Sequence, residues 1–288
     1  MDRAFAIGAA VNLAFVVVEV GIGFTANSIA LLADAAHNLG DVLGLGLAWA
    51  AAVLSRRPPT ERRTYGWGRS SILAALSNAA VLLISVGAIT IEALHRLVTP
   101  EPVNTGLVMA VAAAGIVVNG GSALLFLRDR AQDLNIRAQF AHLAGDALIS
   151  LGVVLTALAV RFSGLLWLDP LASLLVAGLI AAGTWGLLRE SLGLALDAVP
   201  ARVRQSDVTA YLGSLPGVLE VHDLHIWGLS TTETALTAHL VFDTLPDEHQ
   251  PHVIAAALRQ RFGIGHATMQ VETSAAAALC CLRSNEVV

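Results

Sequence analysis

Apolar residues run almost unbroken through the first two-thirds of the chain, then give way to shorter alternating and amphipathic stretches. A bilayer core takes about 20 apolar residues in a helix. Such runs fall at roughly 4–24, 29–54, 70–95, 106–127, 139–161 and 168–189, so the pattern predicts six membrane-spanning helices. The first run keeps full spanning length instead of ending in a small-residue cleavage site, so it is expected to remain as a helix. Beyond about Pro200 the period changes. Val203 to Leu215 reads as an amphipathic helix, and Pro216-Gly217 marks a turn. Val218–Trp227 and Thr232–Phe242 read as a hairpin around Gly228 to Ser230, Pro251–Phe262 as a helix and His266–Glu272 as a third strand. The expected architecture is an α-helical membrane protein, six spans followed by a small αββαβ domain with helices on one face of an antiparallel sheet. The boundaries expected are a membrane domain over residues 1–199, a soluble domain over 200–275 and a loose tail over 276–288.

Composition agrees with this partition. Hydrophobic residues make up 56% of the chain and charged residues 14%, where a soluble domain carries about a quarter charged. The formal net charge of −5 matters less than where the charges lie. Arg56, Arg57, Arg62, Arg63 and Arg69 follow span two, and Arg128, Arg130 and Arg137 follow span four, whereas the loops between carry only Arg96 and Arg161. The positive-inside rule places the arginine-rich loops in the cytoplasm, and both termini with them. No basic tract points to nucleic acid. Cys280 and Cys281 are adjacent and have no cysteine elsewhere to pair with, which excludes a disulfide framework and suits a reducing compartment.

Chemistry enters with a repeated spacing. Span two carries His37-Asn38-Leu39-Gly40-Asp41 and span five His142-Leu143-Ala144-Gly145-Asp146. Residues four apart share a helix face about 6 Å along the axis, so each helix presents one imidazole and one carboxylate in one direction. Asp41 and Asp146 lie at similar depth, about 12 and about 15 residues from the outer ends of their spans, so the two pairs can meet. Ionisable groups in a bilayer are costly unless paired or hydrated. Two imidazoles with two carboxylates suit tetrahedral Zn²⁺ and leave Cd²⁺ and Co²⁺ open, while Mg²⁺ and Ca²⁺ prefer oxygen shells. The alternative, polar groups that merely tie helices together, accounts for one such pair better than for two. Gly40 and Gly145 would also permit close helix approach. Asp34 and Asn38 are candidates for orienting His37 or Asp41; Glu19, Glu92, Asn12 and Asn119 read as structural polar groups within spans.

In the soluble part, His222, His225, His239, His249, His252 and His266 accompany Glu272, Cys280 and Cys281, a density of ligands that points to metal binding. His222 and His225, three apart on a strand, should face opposite sides, so His222 with His239 across the hairpin is the better pairing.

These residues together resemble the cation diffusion facilitator family, proton-coupled exporters of Zn²⁺ and related ions. The resemblance covers nearly the whole chain and rests on Ser28 to His37 leading to Asp41, Tyr65-Gly66-Trp67-Gly68-Arg69, His142 to Asp146, Asp169-Pro170, Val221 to Trp227 and His266 to Glu272. It implies a homodimer joined through ferredoxin-like cytosolic domains, in a bacterial inner membrane. It implies a transport site of His37, Asp41, His142 and Asp146, and a regulatory metal site of His222, His239 and Glu272, with His266, Cys280 or Cys281 as further ligands. The loop after span two offers no histidine and only Glu61, so no loop metal site is expected. Two other classes fit less well: the H-E-x-x-H pattern of a membrane metalloprotease is absent, and a membrane-anchored metal sensor would leave spans two and five apolar.

Overall fold

A computed structural model describes residues 3–126 and 134–280, with side chains over 12–124 and 140–280. Six long helices come first: α1 (Arg3–Thr25), α2 (Ile29–Ser55), α3 (Ser70–Val98), α4 (Thr105–Phe126), α5 (Leu134–Ser163) and α6 (Leu168–Ala195). Among the described residues five helices, α2 to α6, are long and apolar enough to span a bilayer; in α1 the described apolar stretch is the shorter Asn12–Thr25. These helices keep large apolar side chains on the outside, Val17, Ile84, Ile91, Leu148 and Leu175 among them. In water that would be a large unstable patch, and in lipid it is the solvated face.

By compactness the chain falls into two units. One comprises residues 1–46 and 78–185, the other 47–77 and 186–288. In the first unit, α4 packs along α5. Ala30, Leu31, Val108, Ala112, Val153 and Ala157 form one tight apolar cluster, and Ala33, Leu82, Val176 and Ile180 another. Small residues let backbones approach. A Cβ added to Gly40 would fall 2.1 Å from Leu82 Cδ2, so α2 and α3 meet closely there. Gly145, expected to do the same, has nothing within 4 Å of its Cβ direction among the described residues. The start of α2 is held by Asp169 of α6, whose carboxylate accepts from Ser28 Oγ at 2.5 Å and Ile29 N at 2.8 Å. An anion at a helix N-terminus satisfies orphan amides and complements the helix dipole.

The second unit contains α7 (Gln205–Gly213), β1 (Val218–Gly228), β2 (Thr234–Phe242), α8 (Gln250–Phe262), β3 (Ile264–Thr273) and the short α9 (Ser274–Ala277). This is the αββαβ order read from the sequence, with Gly217 at φ 82° in the turn before β1 and Gly263 at φ 69° ending α8. Val208, Leu212, Ile254 and Leu258 of the helices pack on Ile226, Leu236, Leu240, Phe242 and Ile264 of the sheet. The sheet order is β1-β2-β3. β1 and β2 are antiparallel, but β2 and β3 are parallel, which corrects the all-antiparallel expectation. The cause is the connection: a strand that returns through a helix crosses over and resumes its original direction. Ser274–Ala277 form the short α9, which takes in residues 276 and 277 at the start of the expected tail.

Candidate metal centres

The helical spacing delivers what i,i+4 geometry requires. On α2 His37 and Asp41 share a face, and on α5 His142 and Asp146 do, and the two faces meet within the first unit. His37 Nε2 lies 3.2 Å from Asp146 Oδ1 and 4.0 Å from Asp41 Oδ2. His142 Nε2 lies 3.4 Å from Asp41 Oδ2 and 3.7 Å from Asp146 Oδ2. The two rings stand edge to face with centroids 6.2 Å apart. Each imidazole thus touches both carboxylates. Ligands about 2.0–2.1 Å from a tetrahedral Zn²⁺ stand roughly 3.3–3.4 Å from one another; the four nitrogen–oxygen separations bracket that spacing, and one donor atom each of His37, Asp41 and Asp146 lies within 4.8 Å of the others, a group that His142 stands outside. Exposure is graded across the group: Asp146 is 6% exposed at its side chain and His142 42%, so one side is sealed in the bundle and the other is open.

Behind this ring lie the polar groups proposed as supports. Asp34 is fully buried and accepts from Ser150 Oγ at 2.9 Å. Asn38 Nδ2 donates to Glu19 Oε2 at 2.9 Å, and Glu19 is fully buried. Ser150, one turn beyond Asp146, gave no sign in the sequence, because serine in a span is usually absorbed by its own helix backbone. Asn119 is buried, as expected of a structural polar group. Glu92 is not: it is half exposed and pairs with Arg96 at 2.8 Å one turn along α3.

In the soluble unit the antiparallel register sets His222 directly opposite His239, with ring centroids 5.0 Å apart. From β3, Glu272 brings Oε1 to 3.0 Å from His239 Nδ1 and Oε2 to 3.6 Å from His222 Nε2. Cys280 Sγ is 3.5 Å from His239 Nδ1. His222, His239 and Glu272 are all buried. Both ring nitrogens of His222 and Oε2 of Glu272 have no hydrogen-bond partner. Buried polar atoms left this way are costly, and a cation among the His222, His239, Glu272 and Cys280 donor atoms, which lie within 4.8 Å of one another, would satisfy one nitrogen of His222 and the Glu272 carboxylate. The donor set is nitrogen, thiol and carboxylate, which fits Zn²⁺.

One of the further ligands expected is not brought here. His266 does not join this group. It stacks edge-on against Tyr65 at 5.5 Å, and six residues of strand, about 20 Å, separate it from Glu272. Cys281 lies outside the described residues. One neighbour was missed: Asp223 sits at φ 48°, in a break of register between His222 and His225, and its carboxylate reaches His225 at 2.9 Å and His239 at 3.5 Å. The break also removes the simple alternation assumed for His222 and His225.

With both centres laid out, comparison with known proteins bears on the whole chain. The cation efflux transmembrane domain matches residues 5–194, and the cytoplasmic domain of cation efflux proteins matches residues 200–274. The chain belongs to the cation diffusion facilitator family. Among its relatives, the metal cation efflux system protein CzcD of Cupriavidus metallidurans is 34% identical over 273 residues, 94% of this chain and 86% of that protein. The zinc transporter ZitB of Escherichia coli is 37% identical over 270 residues, 91% of this chain and 84% of that protein. The cadmium, cobalt and zinc/H(+)-K(+) antiporter of Bacillus subtilis is 33% identical over 266 residues, covering 91% and 86%. Like other cation diffusion facilitators, the chain is a multi-pass membrane protein of metal cation efflux.

Proposed function

We propose that this protein exports Zn²⁺ from the cytoplasm of a bacterial cell across the inner membrane in exchange for protons, with Cd²⁺ and Co²⁺ as further substrates. The observation that carries this reading is the ring of His37, Asp41, His142 and Asp146, in which every imidazole lies within 4.0 Å of both carboxylates inside membrane-spanning helices. Two nitrogen donors favour a borderline ion such as Zn²⁺ over Mg²⁺ or Ca²⁺. Relatives that are a zinc transporter and a cadmium, cobalt and zinc/H(+)-K(+) antiporter support the same cargo and the same coupling.

On this reading residues 1–199 form the transport domain, with both termini cytoplasmic by the placement of arginines. Zn²⁺ loads from the cytosol when the ring is deprotonated, the helices rock, and the ion leaves outward. Protons then occupy the emptied ligands, since imidazole and carboxylate must lose protons to bind metal and regain them when it departs. Residues 200–275 form a cytosolic homodimerisation domain, in which His222, His239, Glu272 and Cys280 hold a regulatory Zn²⁺. Metal bound to one arrangement of that domain shifts the population toward it. No catalytic step is assigned, because the family is one of cation transporters. The test is zinc flux by the purified protein in liposomes: flux without any accessory protein supports the reading, and a protein that binds zinc yet moves none refutes it.

A further inference from the structure

The soluble centre is built on an irregular strand. Between His222 and His225, β1 carries one residue more than β2 sets opposite it, since the pairing steps from His222↔His239 to His225↔Thr237. Asp223 sits in this bulge at φ 48°, in the left-handed region that a non-glycine residue enters only at a cost. In a regular strand neighbouring side chains point to opposite faces, so Asp223 would point into the helix-covered core. Here Leu224 packs on that core instead, and Asp223 reaches His239 on the face that His222 occupies. Bulges commonly re-aim a side chain beside a binding site in this way. Asp223 Oδ1 accepts a hydrogen bond from His225 Nε2 at 2.9 Å, which fixes the carboxylate, and Oδ2 stands 3.5 Å from His239 Nε2. The other ring nitrogen of His239, Nδ1, faces the candidate donors, with Glu272 Oε1 at 3.0 Å and Cys280 Sγ at 3.5 Å.

From this geometry we infer that Asp223 is a positioning residue of the soluble metal centre: it holds the Nε2–H of His239, so that Nδ1 presents its lone pair to the cation. The inference rests on the reading of His222, His239, Glu272 and Cys280 as a metal site, and deepens it. A neutral imidazole has one N–H and one lone pair, and a carboxylate behind one nitrogen fixes which is which. It also fixes the ring itself, because a half-turn would set carbon atoms against both Asp223 and Glu272. In the metal-bound centre the 3.5 Å gap closes to hydrogen-bond length. A ring already oriented, with its tautomer set, binds metal more tightly than a free one. Asp223 is 14% exposed and His239 11% at their side chains, so water competes little for the contact. His222 lacks equal support: its Nδ1 stands 3.8 Å from Glu220 Oε1 and has no hydrogen-bond partner. The strained backbone at Asp223 persists because it delivers the carboxylate to His239.

The experiment titrates Co²⁺ into full-length protein in detergent and follows absorption. Both cysteines of the chain, Cys280 and Cys281, lie beyond the spans, so a sulfur-to-cobalt charge-transfer band reports the soluble centre and not the membrane ring. Asp223→Gly keeps the left-handed backbone without strain and removes the carboxylate, while Asp223→Asn keeps the shape and loses the charge. Positioning predicts that the Co²⁺ concentration at half-saturation of the band rises about 10–100-fold in Asp223→Gly and less in Asp223→Asn. At saturation both variants should regain the wild-type band and its d–d envelope, because no ligand has been lost. A merely structural Asp223 predicts unchanged half-saturation in Asp223→Gly, with thermal stability equal to or above that of wild type. Half-saturation within about threefold of wild type in that variant overturns the inference, as does an altered d–d envelope at saturation, which would make Asp223 a ligand. Wild type with no sulfur-to-cobalt band overturns the reading of the centre itself, which separates the two failures. Should Asp223→Gly not fold, Asp223→Asn decides: weakening by more than about threefold is expected, and wild-type half-saturation contradicts the positioning role.

Discussion

Replacing Asp146 with alanine removes the one ligand that is both buried and shared. Its Oδ1 stands 3.2 Å from His37 and its Oδ2 3.7 Å from His142, and its side chain is only 6% exposed. Water therefore has little room to substitute from that side. Structural four-ligand Zn²⁺ sites in zinc-finger peptides bind with about 10–16 kcal/mol, so by that scale one of four ligands is worth about 2.5–4 kcal/mol if they share the load evenly. That corresponds to roughly 10²–10³-fold in Kd. Asp146→Asn keeps the shape and one acceptor oxygen but loses the charge, and should fall between the alanine variant and wild type. The assay is zinc titration calorimetry on the full-length protein in a His222→Ala/His239→Ala background, which silences the soluble centre, followed by zinc flux in liposomes. Size-exclusion elution like that of wild type establishes that the variant is folded. Zinc affinity within about threefold of wild type, where an order of about 10²–10³ is expected, would refute the assignment of Asp146 to the ring.

His37→Asp exchanges a borderline nitrogen for a hard oxygen, so zinc should still be carried while the ratio of Cd²⁺ to Zn²⁺ flux changes; an unchanged ratio in competition assays counts against His37 as the selecting ligand. Gly40→Ala should lower thermal stability by about 1–3 kcal/mol through collision with Leu82, and Gly40→Ala/Leu82→Ala should recover part of it, whereas additive losses in a thermal-shift series would refute the close contact. His239→Ala should remove one bound zinc per chain from the full-length protein and shift the metal concentration at which transport begins, without abolishing export. Metal content by mass spectrometry that stays at the wild-type ratio would place the soluble centre elsewhere.

The spans were legible because lipid allows few solutions. A run of apolar residues long enough to cross must be helical, and the expected 29–54, 70–95 and 106–127 lie within a few residues of α2, α3 and α4. The paired H-x3-D was legible for a related reason: i,i+4 residues share a face whatever else the helix touches. What depended on rotation of one helix against another was not legible. Ser150 beneath Asp34 and Asn38 on Glu19 need a rotation about the helix axes that no single-helix pattern encodes. In the sheet, pairing of His222 with His239 followed from the hairpin, but Asp223 in the left-handed region breaks the alternation that strand reasoning assumes. The family resemblance suggests His266 as a ligand beside Glu272, but six residues of strand hold the two about 20 Å apart. Cys280 reaches His239 only because the chain turns through α9 after β3, a turn its alanine-rich sequence does not announce.

The central claim, that zinc leaves through the ring of His37, Asp41, His142 and Asp146 in exchange for protons, is tested most directly in one measurement. Purified protein is reconstituted in liposomes, zinc is supplied on the cytoplasmic side, and zinc and proton movements are followed together under an imposed pH gradient. Acidifying the side that receives the metal should raise zinc flux, and reversing the gradient should lower it, with proton counterflow seen only while metal moves. Zinc flux indifferent to the gradient, with no metal-dependent proton movement, would contradict the account and replace the antiporter with a uniporter.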